Sequence, residues 1–136
     1  MVKQSELQLP PLPKGFHLIT RFLEDYLKDL PETGLVNIFI RHTSAGITIN
    51  ENADSTVRSD MHRFFEKLVP DHPAYFDHYT EGPDDMPAHV KATLVGSSVN
   101  IPVSKGRLNL GTWQGIYLGE FRNHGGGRKL VITVFG

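Results

Sequence analysis

Three histidines stand in sequence contexts that suggest a metal site. His42 follows a short apolar run, His78 lies in a segment rich in aromatic and acidic residues, and His89 lies in a stretch that reads as a helix. Three imidazoles leave an open coordination position on a divalent metal, where a water or a substrate oxygen can be polarised. Their spacing matches no compact motif such as His-Glu-x-x-His, so solvated or hydrogen-bonded histidines remain the alternative interpretation.

Hydroxyl, carboxylate and amide side chains lie close to His42 in the sequence. Thr43 and Ser44 follow it directly, and Glu51 and Asn52 lie where a predicted strand is followed by a predicted helix. Thr43 and Ser44 are candidates for hydrogen bonds to oxygens at the metal, and a purely structural turn is the alternative. Glu51 and Asn52 exceed what helix capping requires, so we expect them to orient a ligand or a water, and a structural role at the start of the helix is the alternative.

Two further pairs of residues are candidates for substrate contacts. Trp113, the only tryptophan, lies in a glycine-rich segment, where an indole can form the wall of a pocket and stack on a planar ring. Gln114 beside it can supply hydrogen bonds. Lys91 and Arg122 are the cations that we expect to meet an anionic ligand, and solvated surface charges are the alternative.

The pattern of apolar residues predicts an alternation of strands and helices. Helices are expected at 16–30, from a cap at 52–54 to Pro70, and at 87–95. Strands are expected at 3–9, 35–40, 47–50, 98–103, 108–110, 116–121 and 129–135. The strands after residue 98 are expected to form an antiparallel meander, and residues 71–87 a long loop.

Composition limits the function classes. The chain has 136 residues, which is the size of one domain, and we take 1–136 as that domain. The 14 Lys and Arg against 15 Asp and Glu give no net positive charge for nucleic acid or an anionic membrane. With no cysteine, a metal must be held by histidines and carboxylates. No apolar run approaches membrane-spanning length, so we expect a cytoplasmic protein with a small-molecule partner.

Taken together, five short motifs resemble one known family. They are His42 to Ala45, Asn50 to Asn52, Glu81 with Gly82, Met86 to Lys91, and Gly111 to Ile116. The chain resembles the YjbQ family, also called the secondary thiamine-phosphate synthase family. This resemblance implies an α+β fold with two packed mixed or antiparallel β-sheets and about three helices. It also implies a homotrimer with a site near the subunit boundary.

The resemblance also implies a site composition and an activity. The histidine pattern of the family corresponds to His42, His78 and His89, for which zinc is the expected ion. The activity attached to the family is thiamine-phosphate synthesis, which joins a pyrimidine diphosphate to a thiazole phosphate with loss of pyrophosphate. Departure of a diphosphate normally uses magnesium, whereas a three-histidine zinc site suits activation of water. We therefore expect a metal-dependent enzyme of this family that acts on a small phosphorylated or heterocyclic substrate at the three-histidine site. Two alternatives stay open: a metal-assisted hydrolase with thiamine-phosphate synthesis as a side activity, and a non-catalytic trimeric ligand-binding protein.

Overall fold

A computed structural model describes residues 1–71 and 74–136 of the chain. Within those residues the elements are β1 (Val2–Gln8), β2 (Gly15–Leu18), α1 (Thr20–Tyr26), β3 (Thr33–Ile40), β4 (Ala45–Glu51), α2 (Ser55–Leu68), α3 (Asp85–Val95), β5 (Ser98–Ser104), β6 (Arg107–Leu108), β7 (Gln114–Glu120) and β8 (Lys129–Phe135). This content confirms the predicted α+β class with three helices. None of the helices in this part of the chain is long and apolar enough to cross a membrane.

The strands form two antiparallel sheets. One sheet has the order β1-β8-β3-β5-β6, and the other has the order β2-β7-β4. Alternate residues of a strand face the same side, and Val36, Ile38 and Ile40 of β3 are all buried in this way. They form one apolar core with Ile116 and Leu118 of β7, which belongs to the other sheet. The core therefore lies between the two sheets, as the predicted two-sheet architecture requires.

The predicted meander of the C-terminal strands is wrong. Strand β5 pairs with β3 and with the short β6, whereas β7 pairs with β2 and β4 in the other sheet. Strand β8 lies between β1 and β3, so the first and last strands of the chain are neighbours. Alternation of apolar residues locates a strand but does not name its partner, because pairing depends on residues that are distant in the sequence.

The predicted helix at 16–30 is also corrected. Its first part is strand β2, in which Phe16 pairs with Gly119 of β7, and only Thr20–Tyr26 is helical. The Phe16 ring packs against Phe65 and Phe121, with ring centroids 5.5 and 5.7 Å apart. Strand pairing and aromatic packing thus outweigh the local helical spacing, which is a weak preference in so short a segment.

The second predicted helix is confirmed at both ends. The Asp54 side chain accepts a hydrogen bond from the Thr56 amide at 2.9 Å and caps α2. The helix ends at Leu68, two residues before Pro70, which cannot continue it.

The third helix begins at Asp85 rather than Pro87, and this difference of two residues places Asp85 in its first turn. Residues 72–73 of the predicted loop lie outside the described residues.

Candidate metal site

Helix α3 is held at both ends by the second sheet and the segment that follows it. At its start, the Asp84 carboxylate accepts hydrogen bonds from the Asn123 amide at 2.8 Å and from Arg122 Nε at 3.2 Å. At its end, the Ile47 amide of β4 donates to the carbonyl of Gly96 at 3.0 Å. Gly46 permits this approach, because a Cβ there would lie 2.8 Å from a Val95 methyl carbon. The helix is thereby fixed beside the turn at residues 42–44.

Three ligand-type side chains converge at the start of α3. Asp85 and His89 are four residues apart on the helix and therefore share one face. His78 reaches the same point from the loop that precedes the helix, and the ligand atoms of the three residues lie within 4.8 Å of one another. His78 Nε2 and His89 Nε2 lie 2.8 and 3.2 Å from the same oxygen, Asp85 Oδ2. The group combines two imidazoles with one carboxylate.

The hydrogen bond of His89 to the backbone defines its tautomer. His89 Nδ1 lies 2.9 Å from the Thr43 carbonyl oxygen, which can only accept, so Nδ1 carries a proton. In the neutral imidazole the lone pair is then on Nε2, which faces the Asp85 carboxylate. Two acceptors at this distance repel unless a proton or a cation lies between them. A second proton on the ring or a divalent metal meets this requirement, and two imidazoles with one carboxylate are a donor set that a divalent metal accepts, with the Thr43 carbonyl orienting the histidine.

The carboxylate of Asp85 is kept charged in spite of its burial. Only 5% of its side chain is exposed, and this burial alone would raise its pKa. The hydrogen bond with His78, the charge that each of the two imidazoles carries when its ring is protonated, and the charge of Arg122 outweigh burial, so the pKa lies below its usual 3.8. Arg122 Nη1 donates to Asp85 Oδ1 at 2.6 Å. A charged carboxylate is the form that ligates a metal.

An open cleft of about 760 Å³ adjoins this group. Its lining combines imidazoles and hydroxyls with small apolar side chains: His42, Thr43, Ala45, His78, Met86, His89, Ala92, Thr93, Gly96 and Ser97. The volume is within the range that holds a small organic molecule. A ligand in the cleft would therefore contact both the imidazoles and an apolar wall.

His42 lies on the cleft but has a different hydrogen bond. Its Nε2 accepts from the Lys129 amide at 2.8 Å, so the neutral ring carries its proton on Nδ1. Burial, followed by the charges of Arg128, Lys129 and Arg41, lowers the pKa of His42 and outweighs the opposing effect of Glu120. In this arrangement the Nε2 lone pair of His42 accepts the hydrogen bond of the Lys129 amide and is not directed at a metal. Its assignment as a third metal ligand stays a prediction.

The two hydroxyl residues after His42 are held mainly through their carbonyls. Thr43 lines the cleft, and its carbonyl accepts from His89. Ser44 is buried, and its carbonyl accepts at 3.3 Å from both Arg128 Nη2 and the Phe121 amide. Arg128 in turn is paired with the buried Glu120 carboxylate. The buried Arg128–Glu120 pair thus holds the turn at residues 42–44 through the Ser44 carbonyl. The roles of the two hydroxyls stay predictions.

Four predicted site residues lie outside the cleft lining: Glu51, Asn52, Trp113 and Gln114. Ala45 of the cleft pairs with Glu120, whereas Glu51 pairs with Gln114 at the other end of the same ladder. Six residues of strand span about 20 Å. Asn52 Nδ2 donates to the Gln114 carbonyl at 3.0 Å, and Gln114 Oε1 accepts from the Gly111 amide at 2.8 Å. Within one chain these residues and Trp113 form a separate feature, in which 65% of the Trp113 surface is exposed.

The predicted anion-binding cations are both engaged with carboxylates. Lys91 is completely buried, and its Nζ lies 2.7 Å from Glu66 Oε1 of helix α2. Arg122 contacts Asp84 and Asp85 rather than the cleft. Asp85 itself was absent from the sequence-based set of site residues. Its four-residue spacing to His89 becomes a signal only when the helix extends to residue 85, two residues before the predicted start.

Comparison with known proteins decides the family. A family model described as UPF0047 protein YjbQ-like matches residues 5–136. The chain belongs to this family. The UPF0047 protein YjbQ of Salmonella typhimurium is 54% identical over 135 residues, which cover 98% of this chain and 97% of the relative. The UPF0047 protein YjbQ of Escherichia coli O157:H7 is 49% identical over 135 residues, with the same coverage of 98% and 97%.

Two solved structures have the same fold. A conserved hypothetical protein from Thermus thermophilus superposes with a TM-score of 0.82 at 37% identity, covering 94% of this chain and 97% of its own. An uncharacterized conserved protein of the yjbq/upf0047 family from Clostridium acetobutylicum has a TM-score of 0.83 at 36% identity, covering 96% and 99%. The family and the two-sheet fold predicted from sequence are thus confirmed.

Proposed function

We propose that this UPF0047 protein is a metal-dependent enzyme that acts on a small molecule in the cleft, with His78, Asp85 and His89 as the metal ligands. The observation that carries this proposal is the 3.2 Å approach of His89 Nε2 to Asp85 Oδ2, combined with the bond from His89 Nδ1 to the Thr43 carbonyl. That geometry leaves a lone pair and a charged carboxylate facing one another. A divalent cation held by these two groups would remove the repulsion, as would a second proton on His89, and the metal analysis below distinguishes the two.

Each of the site residues has a defined part in this proposal. The Thr43 carbonyl holds His89 in the tautomer that leaves Nε2 free. Asp85 supplies the negative charge, and the neutral His42 presents a ring that can donate to a substrate oxygen in the cleft. A bound divalent metal supplies Lewis acidity, which suits the activation of water. Zinc is the ion we propose, because it accepts histidine and carboxylate ligands together.

Hydrolysis fits these residues better than transfer of a diphosphate-activated group. A departing diphosphate needs several cations around it. Lys91 and Arg122, the cations that sequence reasoning assigned to that task, are engaged by Glu66, Asp84 and Asp85. We therefore place thiamine-phosphate synthesis second, as a side activity. The small anionic substrate, the homotrimer and the cytoplasmic location stay predictions.

Metal analysis of protein purified without added ions tests the ligand set. We expect about one zinc per chain in the parent protein and a large loss in His78→Ala, Asp85→Asn and His89→Ala. His42→Ala is expected to keep most of the metal, because its Nε2 bonds to the Lys129 amide. Unchanged metal content in His89→Ala and Asp85→Asn, with matching circular dichroism, would overturn the proposal.

A substrate screen distinguishes the candidate reactions. Release of a hydrolysis product by the metal-loaded protein, lost in Asp85→Asn, supports the hydrolase. Coupling of the two thiamine precursors at a comparable rate would favour the transferase instead. The non-catalytic alternative predicts a blank screen together with loss of the trimer in His42→Ala.

A further inference from the structure

All three guanidinium nitrogens of Arg122 donate hydrogen bonds to the segment that carries the candidate metal ligands. Nη1 donates to Asp85 Oδ1 at 2.6 Å, Nε donates to Asp84 Oδ2 at 3.2 Å, and Nη2 donates to the Glu81 carbonyl at 2.9 Å. Three acceptors on three nearby residues thus converge on one planar group. Such a fork fixes direction as well as distance, which a single ammonium cannot do.

The base of this arginine is itself held in place. The Arg122 amide donates to Glu120 Oε2 at 3.1 Å, and Glu120 is completely buried and paired with Arg128. The guanidinium therefore projects from a rigid point just after β7. Its contacts with Asp84 and Asp85 connect that point to the first turn of α3.

We propose that Arg122 is a positioning residue for the metal, because it holds Asp85 Oδ1 and thereby directs Asp85 Oδ2 at His78 and His89. This inference rests on the proposed metal-dependent function. One carboxylate oxygen faces Arg122, so the other is shared by the two imidazoles at 2.8 and 3.2 Å. A metal would meet this oxygen already oriented. The sequence-based role of Arg122, contact with an anionic ligand, is replaced by this one.

Charge and geometry predict opposite effects when Arg122 is replaced. Removal of a positive charge beside two carboxylates would strengthen the binding of a cation if charge dominated. Loss of orientation would weaken it, and loss of residues that hold metal ligands typically costs about 10- to 100-fold in affinity. We expect the weakening to prevail, because the Asp85 carboxylate is free to rotate away from the imidazoles once the Arg122 guanidinium no longer holds it.

The test is titration of the metal-free protein with zinc, followed by calorimetry, and with cobalt, followed by its visible absorption spectrum. We expect Arg122→Met to bind zinc about 10- to 100-fold more weakly. Arg122→Lys keeps the charge but not the fork, so a marked loss in this variant separates geometry from charge. The cobalt spectrum should change in both variants, because its intensity reports the arrangement of the ligands and not the stability of the fold.

Two further variants keep the test decisive. Arg63→Lys is the control, because Arg63 pairs with Asp60 on the exposed surface of α2, with 63% of its side chain accessible, and should leave affinity unchanged. If Arg122→Met does not fold, Asp84→Asn removes one charged anchor of the guanidinium and should weaken zinc binding by a smaller factor. Parent protein that binds no metal would refute the proposed function. Tight binding by the parent, with affinities within about twofold in all Arg122 and Asp84 variants, would refute only the positioning role.

Discussion

Replacement of Arg128 by methionine is expected to lower the free energy of unfolding by about 3 kcal/mol. Arg128 pairs with Glu120, and their side chains are only 5% and 0% exposed. Arg128 Nε donates to Glu120 Oε1 at 2.7 Å, and Nη2 bonds to Oε2 and to the Ser44 carbonyl. Methionine fills much of the volume but leaves the Glu120 carboxylate in the core without its counter-charge.

The size of the effect follows from what remains around the carboxylate. Loss of one partner of a buried pair typically costs about 3–5 kcal/mol. The Arg122 amide still donates to Glu120 Oε2 at 3.1 Å, which places the expected value at the lower end of that range. For 136 residues the entropy of unfolding is about 0.3 kcal/mol per kelvin, so the melting temperature should fall by about 10 °C.

Urea unfolding followed by circular dichroism measures this loss, with Arg63→Met as the exposed control. Because Arg63 and Asp60 are 63% and 70% exposed, the control should change stability by less than about 0.5 kcal/mol. The double variant Glu120→Leu with Arg128→Met removes both charges and should recover most of the stability. A loss below about 1 kcal/mol in the single variant, or no recovery in the double one, would refute the reasoning.

Three further outcomes are expected. Gly125→Ala should destabilise the fold by about 1–3 kcal/mol in urea unfolding, because its Cβ would lie 2.5 Å from Arg128 Nη2. Burial raises the pKa of Glu66, but hydrogen bonds and charges of Lys91 and Lys14 lower it below 4.5, so it stabilises the fold above that pH. That stability is lost as pH falls through the folded-state pKa, and Glu66→Gln should flatten this part of an acid titration of stability. Zinc should leave the emission of Trp113 unchanged, because its neighbour Gln114 and the cleft residue Ala45 lie at opposite ends of the β4–β7 ladder, about 20 Å apart along the strand.

Much of the fold is predictable because its signals are local. The alternation of buried residues in β3 and the capping carboxylate of Asp54 each lie within a few residues of the element that they define. Strand β2 was wrongly predicted as part of a helix because its apolar residues have helical spacing, which is a local signal. Its partner β7 is about a hundred residues away in the chain, so no local signal indicates the pairing. Local preference is a weak guide where a distant strand completes the ladder.

The candidate site was predictable in part. His78, His89 and Thr43 were chosen from sequence context, and the structure brings all three to one cleft. Asp85 was overlooked because acids at the start of a helix have an ordinary explanation in the helix dipole. Its second contact, with Arg122, depends on a residue 37 positions later and has no local signal.

The sequence by itself determined the kinds of residue available for chemistry, the family and most of the secondary structure. Without cysteine, and with histidines in three separate segments, it pointed to imidazole and carboxylate ligands. Only the tertiary structure decided which of them meet. The pairing of β4 with β7 separates Trp113 from His42, and the docking of α3 on β4 brings His89 to the Thr43 carbonyl. The physical reason is that distances between side chains depend on which distant strands and helices pack together, and this pairing is a property of the whole chain.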